Sequence, residues 1–171
     1  MFTTLMSLIA TTLVFAPIRA SGQSSCESPN HHQLDFGIGT WTIGRIQPNG
    51  TEQPGESNVI EKAFGGCGLR ESYRAMGDFT GGSITAYDAA HGQWHQLYTD
   101  ASGAVVDFRG SWEGDHMAFL ASMIGPKGNP FTMRLTMTPR ADGSVRLFYE
   151  TSRDGTTWKP NTDLIYHRAT P

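Results

Sequence analysis

The residues of this sequence whose types and spacing could do chemistry are carboxylates set inside alternating apolar runs. In Leu69-Arg70-Glu71-Ser72-Tyr73 an extended backbone puts Leu69, Glu71 and Tyr73 on one face. Arg146, Phe148 and Glu150 share a face in a later run. Met133, Leu135 and Met137 share another, with Arg134 opposite, and Gln96 lies between Trp94 and Tyr98. A carboxylate beside Leu and Tyr either turns toward a lumen or pairs near a rim, because an unpaired buried charge costs several kcal/mol. Arg109, Arg134 and Arg146 are the candidate partners of Glu71 and Glu150. The pattern leaves two outcomes, an outer polar face without function or a cavity of aromatics and methionines. In the second, the ligand-binding residues are Glu71, Tyr73, Gln96, Tyr98, Phe148 and Glu150, and the polar groups orient one end of a mostly apolar small molecule. An enzyme would use the same lumenal glutamates as general acid or base.

Six histidines raise metal and haem binding as further options. His91 and His95 have the i, i+4 spacing that converges on a helix, but Gly92 interrupts the segment, and on a strand they stand about 13 Å apart. His31 and His32 are adjacent and diverge on an extended chain, and His116 follows a turn. His167, beside Tyr166, is left as a lone axial haem ligand, set against an ordinary surface or core histidine. No Cys-x-x-Cys-His run exists for covalent haem attachment. Gly-x-Ser-x-Gly, the phosphate-cradling Gly-x-x-x-x-Gly-Lys and a Rossmann glycine run are all missing. The expectation is therefore no cofactor, no metal and no assigned catalytic residue, with a barrel enzyme or a haem barrel as the alternatives.

Strands must position these groups. From Leu34 onward short alternating runs are broken by turn residues at intervals of 10 to 13, including Asn49-Gly50, Gly77-Asp78, Asp142-Gly143 and Asp154-Gly155. The runs predict ten strands near 34–44, 57–63, 67–76, 82–88, 93–100, 104–112, 116–124, 131–139, 144–152 and 157–168. No window keeps apolar residues at i, i+3, i+4 and i+7 between breakers, so the class is all-β. Ten sequential antiparallel strands leave two edges, and closure into one up-and-down barrel hides both. A barrel of that width has room for a ligand. Leu34 to Ile43 reads as the first strand, and Trp41 in Gly-x-Trp as the plug of one barrel end. Ser152 to Trp158 reads as a hairpin turn with Trp158 folded over it.

The 171 residues suit a single domain. Leu5 to Ala16 is a mostly apolar run followed by small residues, the pattern of a cleaved signal peptide over residues 1–22, although Met1 to Thr4 carries no basic residue. The run is shorter than the about 20 apolar residues of an anchor. Residues 23–33 form a polar lead and residues 34–169 the barrel. Removing the leader takes away Arg19 and no acid, so the net charge moves from −3 to −4. No concentrated basic face for nucleic acid is present. The expected location is secreted or periplasmic, without stable membrane insertion. In that setting two cysteines, Cys26 and Cys67, favour one disulfide over two buried thiols or a nucleophilic Cys67.

Several motifs taken in order resemble a bacterial family of exported calycin-like (lipocalin-like) domains of unknown function. They are His32 to Phe36, Gly39-Thr40-Trp41, Gly66 to Glu71, Tyr87-Asp88 with Gly92 to Gln96, and Ser152 to Trp158. The resemblance runs from about Cys26 to Arg168. It implies an up-and-down barrel of eight to ten strands, similar to lipocalins, fatty-acid-binding proteins and haem-binding nitrobindins. Gly37 departs from the family pattern, standing where a large aromatic residue often follows Asp-Phe.

Overall fold

A computed structural model describes residues 26–170. The expected signal peptide, and the first three residues of the lead, lie outside the described residues. Ten strands follow one another: β1 Gly39–Ile46, β2 Glu52–Ala63, β3 Gly68–Arg74, β4 Thr80–Asp88, β5 Gln93–Asp100, β6 Val105–Glu113, β7 His116–Ile124, β8 Pro130–Pro139, β9 Val145–Ser152 and β10 Lys159–Arg168. Each pairs antiparallel with the next, and β1 pairs with β10, so the sheet closes into a ten-stranded up-and-down barrel of calycin-like form. Trp41 opposite Arg168 and Arg45 opposite Leu164 fix the closing register. No edge is left to pair with another chain.

Two strand boundaries differ from the sequence-based expectation by more than two residues. Leu34 to Gly37 is not strand, since Pro29–His32 and Asp35–Gly37 are 3-10 turns and β1 starts only at Gly39. The reason is what this segment covers. The β2–β3, β4–β5, β6–β7 and β8–β9 turns all gather at one barrel end, and the lead crosses that end as a floor. Leu34 is buried in the core there. Trp94 Nε1 donates to Gln33 Oε1 at 2.9 Å, and Asn30 Nδ2 donates to Tyr87 Oη at 2.8 Å. Lys62 Nζ reaches Asp35 Oδ2 at 3.0 Å. The Cys26–Cys67 disulfide ties the start of the lead to the β2–β3 turn. An extended Leu34 would have run past the rim and left the lumen open.

The second difference is β2, which begins at Glu52 rather than near residue 57. Between Ile43–Glu56 and Gly44–Pro54 the register slips by one residue. Gly55 occupies the bulge with a φ of 136°, a conformation natural to glycine. The bulge also accommodates Pro54, which has no amide hydrogen for a ladder.

Alternation sets the core. Trp41, Ile43, Trp94, Met117, Phe119 and Leu135 are fully buried, all on inward-facing positions. Trp41 lies at the floor end, its Nε1 donating to Gly37 O at 2.9 Å and the Arg168 guanidinium stacked 4.1 Å from its ring centre. The opposite end, holding the β1–β2, β3–β4, β5–β6, β7–β8 and β9–β10 turns, carries the mouth.

Candidate functional site

The lumen holds a cavity of about 390 Å³, and its lining divides by strand. On β3, β4 and β5 it presents Glu71, Tyr73, Ser83, Thr85, Gln96 and Tyr98. On β6, β8, β9 and β10 it presents Val106, Phe108, Met133, Leu135, Leu147 and Leu164. Leu34, Gly37 and Leu69 lie toward the floor, while Arg45, Phe79, Asp100 and Asn161 surround the mouth. The lining is most polar on β3–β5, whose inward positions include Glu71, Ser83, Thr85 and Gln96, and mostly hydrocarbon on β6–β8, with Tyr149, Thr162 and Tyr166 adding hydroxyls on β9 and β10.

Register brings the polar groups into contact. Glu71 stands directly opposite Ser83, and Thr85 opposite Gln96. Ser83 Oγ donates to Glu71 Oε2 at 2.6 Å, and Gln96 Nε2 donates in turn to Ser83 Oγ at 3.3 Å. Asn58 Nδ2 donates to Glu71 Oε1 at 2.5 Å and to Tyr166 Oη at 3.2 Å. A second group lies nearer the mouth, where Glu56 takes Arg45 Nε at 2.9 Å and the Tyr73 hydroxyl at 2.5 Å. Glu56 thus has a cation beside it, whereas Glu71 is held by neutral donors alone among the described residues.

Burial and these carboxylates act together on the tyrosines. Burial first, and then the charges of Asp100 and Glu71, push Tyr98 up to about 12. Burial followed by Glu71 raises Tyr149 and Tyr166 further, and burial followed by the Glu56 contact raises Tyr73. All four phenols are neutral at physiological pH and serve as hydrogen-bonding hydroxyls, since the phenolate would be a second negative charge in a poorly solvated space.

Of the six residues expected to bind ligand, Glu71, Tyr73, Gln96 and Tyr98 line the cavity together. Phe148 and Glu150 do not. On β9 it is Leu147 and Tyr149 that face inward, so Arg146, Phe148 and Glu150 occupy the outer face. There Glu150 Oε2 accepts from Arg134 Nη2 at 2.7 Å, and Phe148 lies beneath the Arg146 guanidinium, 4.5 Å from its ring centre. Arg146 itself is committed to Asp163 and Arg109 to Asp107. None of the three arginines reaches Glu71. The choice of face was legible, because Val145, Leu147 and Tyr149 form the more apolar set.

His167 is also turned outward, opposite in parity to the inward Tyr166, and its Nε2 meets Glu52 Oε1 at 2.7 Å. It cannot reach a haem in the lumen. His91 and His95 both approach Asp88 Oδ2, at 2.6 and 3.8 Å, because the β4–β5 turn folds them toward it. Among the described residues no group of three or more His, Cys, Asp or Glu side chains is arranged to hold a metal ion. The Ser152 to Trp158 segment is a turn as expected. Asp154 accepts from the amides of Thr156 and Thr157, which holds its carboxyl far below the usual range, and Trp158 stacks on Arg134.

Sequence reasoning missed Glu56, Asn58, Tyr149 and Tyr166. Glu56 was obscured by the Gly55 bulge, which shifts where β2 starts, and Asn58 by being a polar residue on a strand whose inward face the sequence left open.

No family model matches the chain, and no curated protein matches it. A solved structure does. The crystal structure of Rv2717c from M. tuberculosis superposes with a TM-score of 0.51 at 15% identity, covering 84% of this chain and 99% of that one. At that identity the likeness is one of fold.

Proposed function

We propose that this protein is an exported binder that holds a small, partly hydrophobic molecule in its barrel lumen, without catalysing a reaction on it. The observation that carries this reading is the cavity of about 390 Å³ whose lining is mostly hydrocarbon on β6–β8 and richest in hydrogen-bonding groups on β3–β5. That volume lies within the range of small-molecule sites, and the division suits a ligand with an apolar body and a polar edge. Glu71 fits an orienting role, since both its oxygens are already fixed by Asn58 and Ser83. Export, to a secreted or periplasmic location, is supported by the Cys26–Cys67 disulfide, a bond that persists in oxidising compartments. It agrees with the leader-like N-terminal sequence. Among the described residues no helix is long and apolar enough to cross a membrane. Membership of the exported calycin-like family, suggested by the ordered motifs, is part of the same proposal.

Gly37 offers the test. A Cβ there would meet nothing within 4 Å, and the residue lines the cavity floor, so Gly37→Phe starts a large side chain in open space at the cavity. A neutral solvatochromic dye such as Nile red should bind the native protein saturably with a blue-shifted emission, and the Gly37→Phe variant should bind it at least several-fold more weakly. Absence of saturable uptake, or uptake equal in the two proteins, would overturn the lumenal site.

A further inference from the structure

The charges that face the lumen do not balance. Glu71 and Asp100 present two carboxylates to it, and Arg45 presents one cation, already engaged with Glu56 beside the cavity. Asp100, at the mouth, is held by the Ser102 amide and hydroxyl. Glu71, deeper, has only the Asn58 amide and the Ser83 hydroxyl. A carboxylate in a low-dielectric space is strongly favoured by a nearby positive charge, and among the described residues no cation contacts Glu71.

A second observation lies beside it. Asn58 is 1% exposed, and while its Nδ2 is engaged with Glu71 and Tyr166, its Oδ1 has no hydrogen-bond partner among the described residues. Buried acceptors are nearly always paired in folded proteins, so an unpaired one next to an uncompensated carboxylate marks a place that lacks a donor. The surroundings suit a cationic one. Tyr73, Tyr98, Tyr149 and Phe108 line the same cavity, and aromatic faces attract ammonium groups. Across the lumen stands the hydrocarbon wall of Leu135, Leu147 and Met133.

We infer that the lumenal ligand is a lipophilic cation, an alkyl- or arylammonium whose charged nitrogen sits at Glu71 and whose apolar body lies against the β6–β9 wall. This rests on the lumenal binding reading and narrows it. An ammonium has several N–H donors on one atom and no acceptor, so it can address the Glu71 carboxylate and a neighbouring hydroxyl of the lining together. A carboxylate ligand would instead meet a lumen of its own sign.

Displacement of Nile red by decylamine, decanol and decanoate separates these chemistries, since the three share one alkyl body and differ in the head group. The native protein should release dye at the lowest concentration of decylamine, with decanol weaker and decanoate weakest. Glu71→Gln should weaken decylamine by roughly tenfold or more, the scale of a lost charge-assisted hydrogen bond, and weaken decanol far less. Glu56→Gln, at a carboxylate already paired with Arg45, should affect decylamine less than Glu71→Gln does. Equal displacement by all three compounds, a preference for decanoate, or an unaltered order in Glu71→Gln would overturn the cation. The head-group comparison on the native protein stands even if a variant does not fold. Failure of the dye itself to bind would overturn the lumenal site and this inference together, whereas dye binding without the ammonium preference would overturn this inference alone.

Discussion

Glu71 and Ser83 face each other in register across β3 and β4, and the serine hydroxyl donates to the glutamate's Oε2 at 2.6 Å. Ser83 is buried, and its oxygen also accepts from Gln96. One small hydroxyl therefore stands between a lumenal charge and a lumenal amide. Ser83→Ala removes a donor from Glu71 and an acceptor from Gln96 with almost no change in volume. It should lower stability by about 1–3 kcal/mol, the usual cost of leaving buried polar groups unpaired. Urea unfolding checks this. An unchanged midpoint would mean that water or a rotated Gln96 replaces the contact at no cost.

The floor of the barrel is held by a covalent tie. Cys26 and Cys67 are 41 residues apart in sequence, and by chain entropy a loop of that length is worth about 4 kcal/mol relative to the open chain. The Cys26→Ser, Cys67→Ser double variant should lose about 2–4 kcal/mol by chemical denaturation, and the native protein should lose a similar amount under a reductant. The tie also secures residues that Trp94 and Tyr87 hold from above, so hydrogen exchange at Leu34 to Gly37 should quicken more than at β7 or β8. Uniform quickening would place the disulfide's effect in the whole barrel instead of the floor.

Lumenal tyrosines give the fold an alkaline limit. Burial, reinforced by Asp100 and Glu71, raises Tyr98 to about 12 in the folded protein, against about 10 in an unfolded chain. Tyr73, Tyr149 and Tyr166 are raised in the same direction. Above pH about 10 the unfolded chain releases protons that the folded one retains, so the unfolded state gains and stability declines. The contribution is complete below about 10 and is lost as the pH climbs through about 12. The thermal midpoint should fall across that interval, and phenolate absorbance should lag the ordinary tyrosine range for these four of the five tyrosines. A midpoint independent of pH from about 10 to about 12 would contradict the burial that the cavity requires.

Strand number, closure and the disulfide were legible from turn spacing and cysteine count, because those signals are local and repeat ten times around the barrel. The lumenal set was half legible. Leu69, Glu71 and Tyr73 kept their inferred face since β3 is regular, and Gln96 and Tyr98 kept theirs. Glu56 was hidden by a bulge that no alternation pattern announces, and Asn58 by its polar side chain on a strand whose inward face the sequence left open. The 3-10 floor was hidden too, because Leu34-Asp-Phe-Gly has the composition of a strand and becomes a turn only by capping a barrel that the rest of the chain builds. On β9 both faces carry an aromatic ring, so Phe148 and Tyr149 compete for the inside. The barrel settles it by burying Val145 and Leu147 and pairing Glu150 outside.

That assignment on β9 predicts opposite outcomes for neighbouring residues. Glu150 opposes Arg134 on the outer face, where the arginine is about one-third exposed and also stacks on Trp158. Glu150→Gln should leave uptake of a neutral lumenal dye unchanged, and should cost no more than about 1 kcal/mol, as for a solvent-screened pair. Phe148→Leu should likewise spare uptake, since Phe148 lies under Arg146 on that same face and does not line the cavity. Tyr149 lies inside among Glu71, Tyr73 and Tyr98, which all act on its hydroxyl, so Tyr149→Leu should change the affinity for the dye several-fold while the barrel stays closed. Dye titrations on the three variants decide the parity of the strand. If Glu150→Gln altered uptake and Tyr149→Leu did not, β9 would have to be turned by one residue, and Leu147 would then face solvent at a cost the apolar wall could not bear.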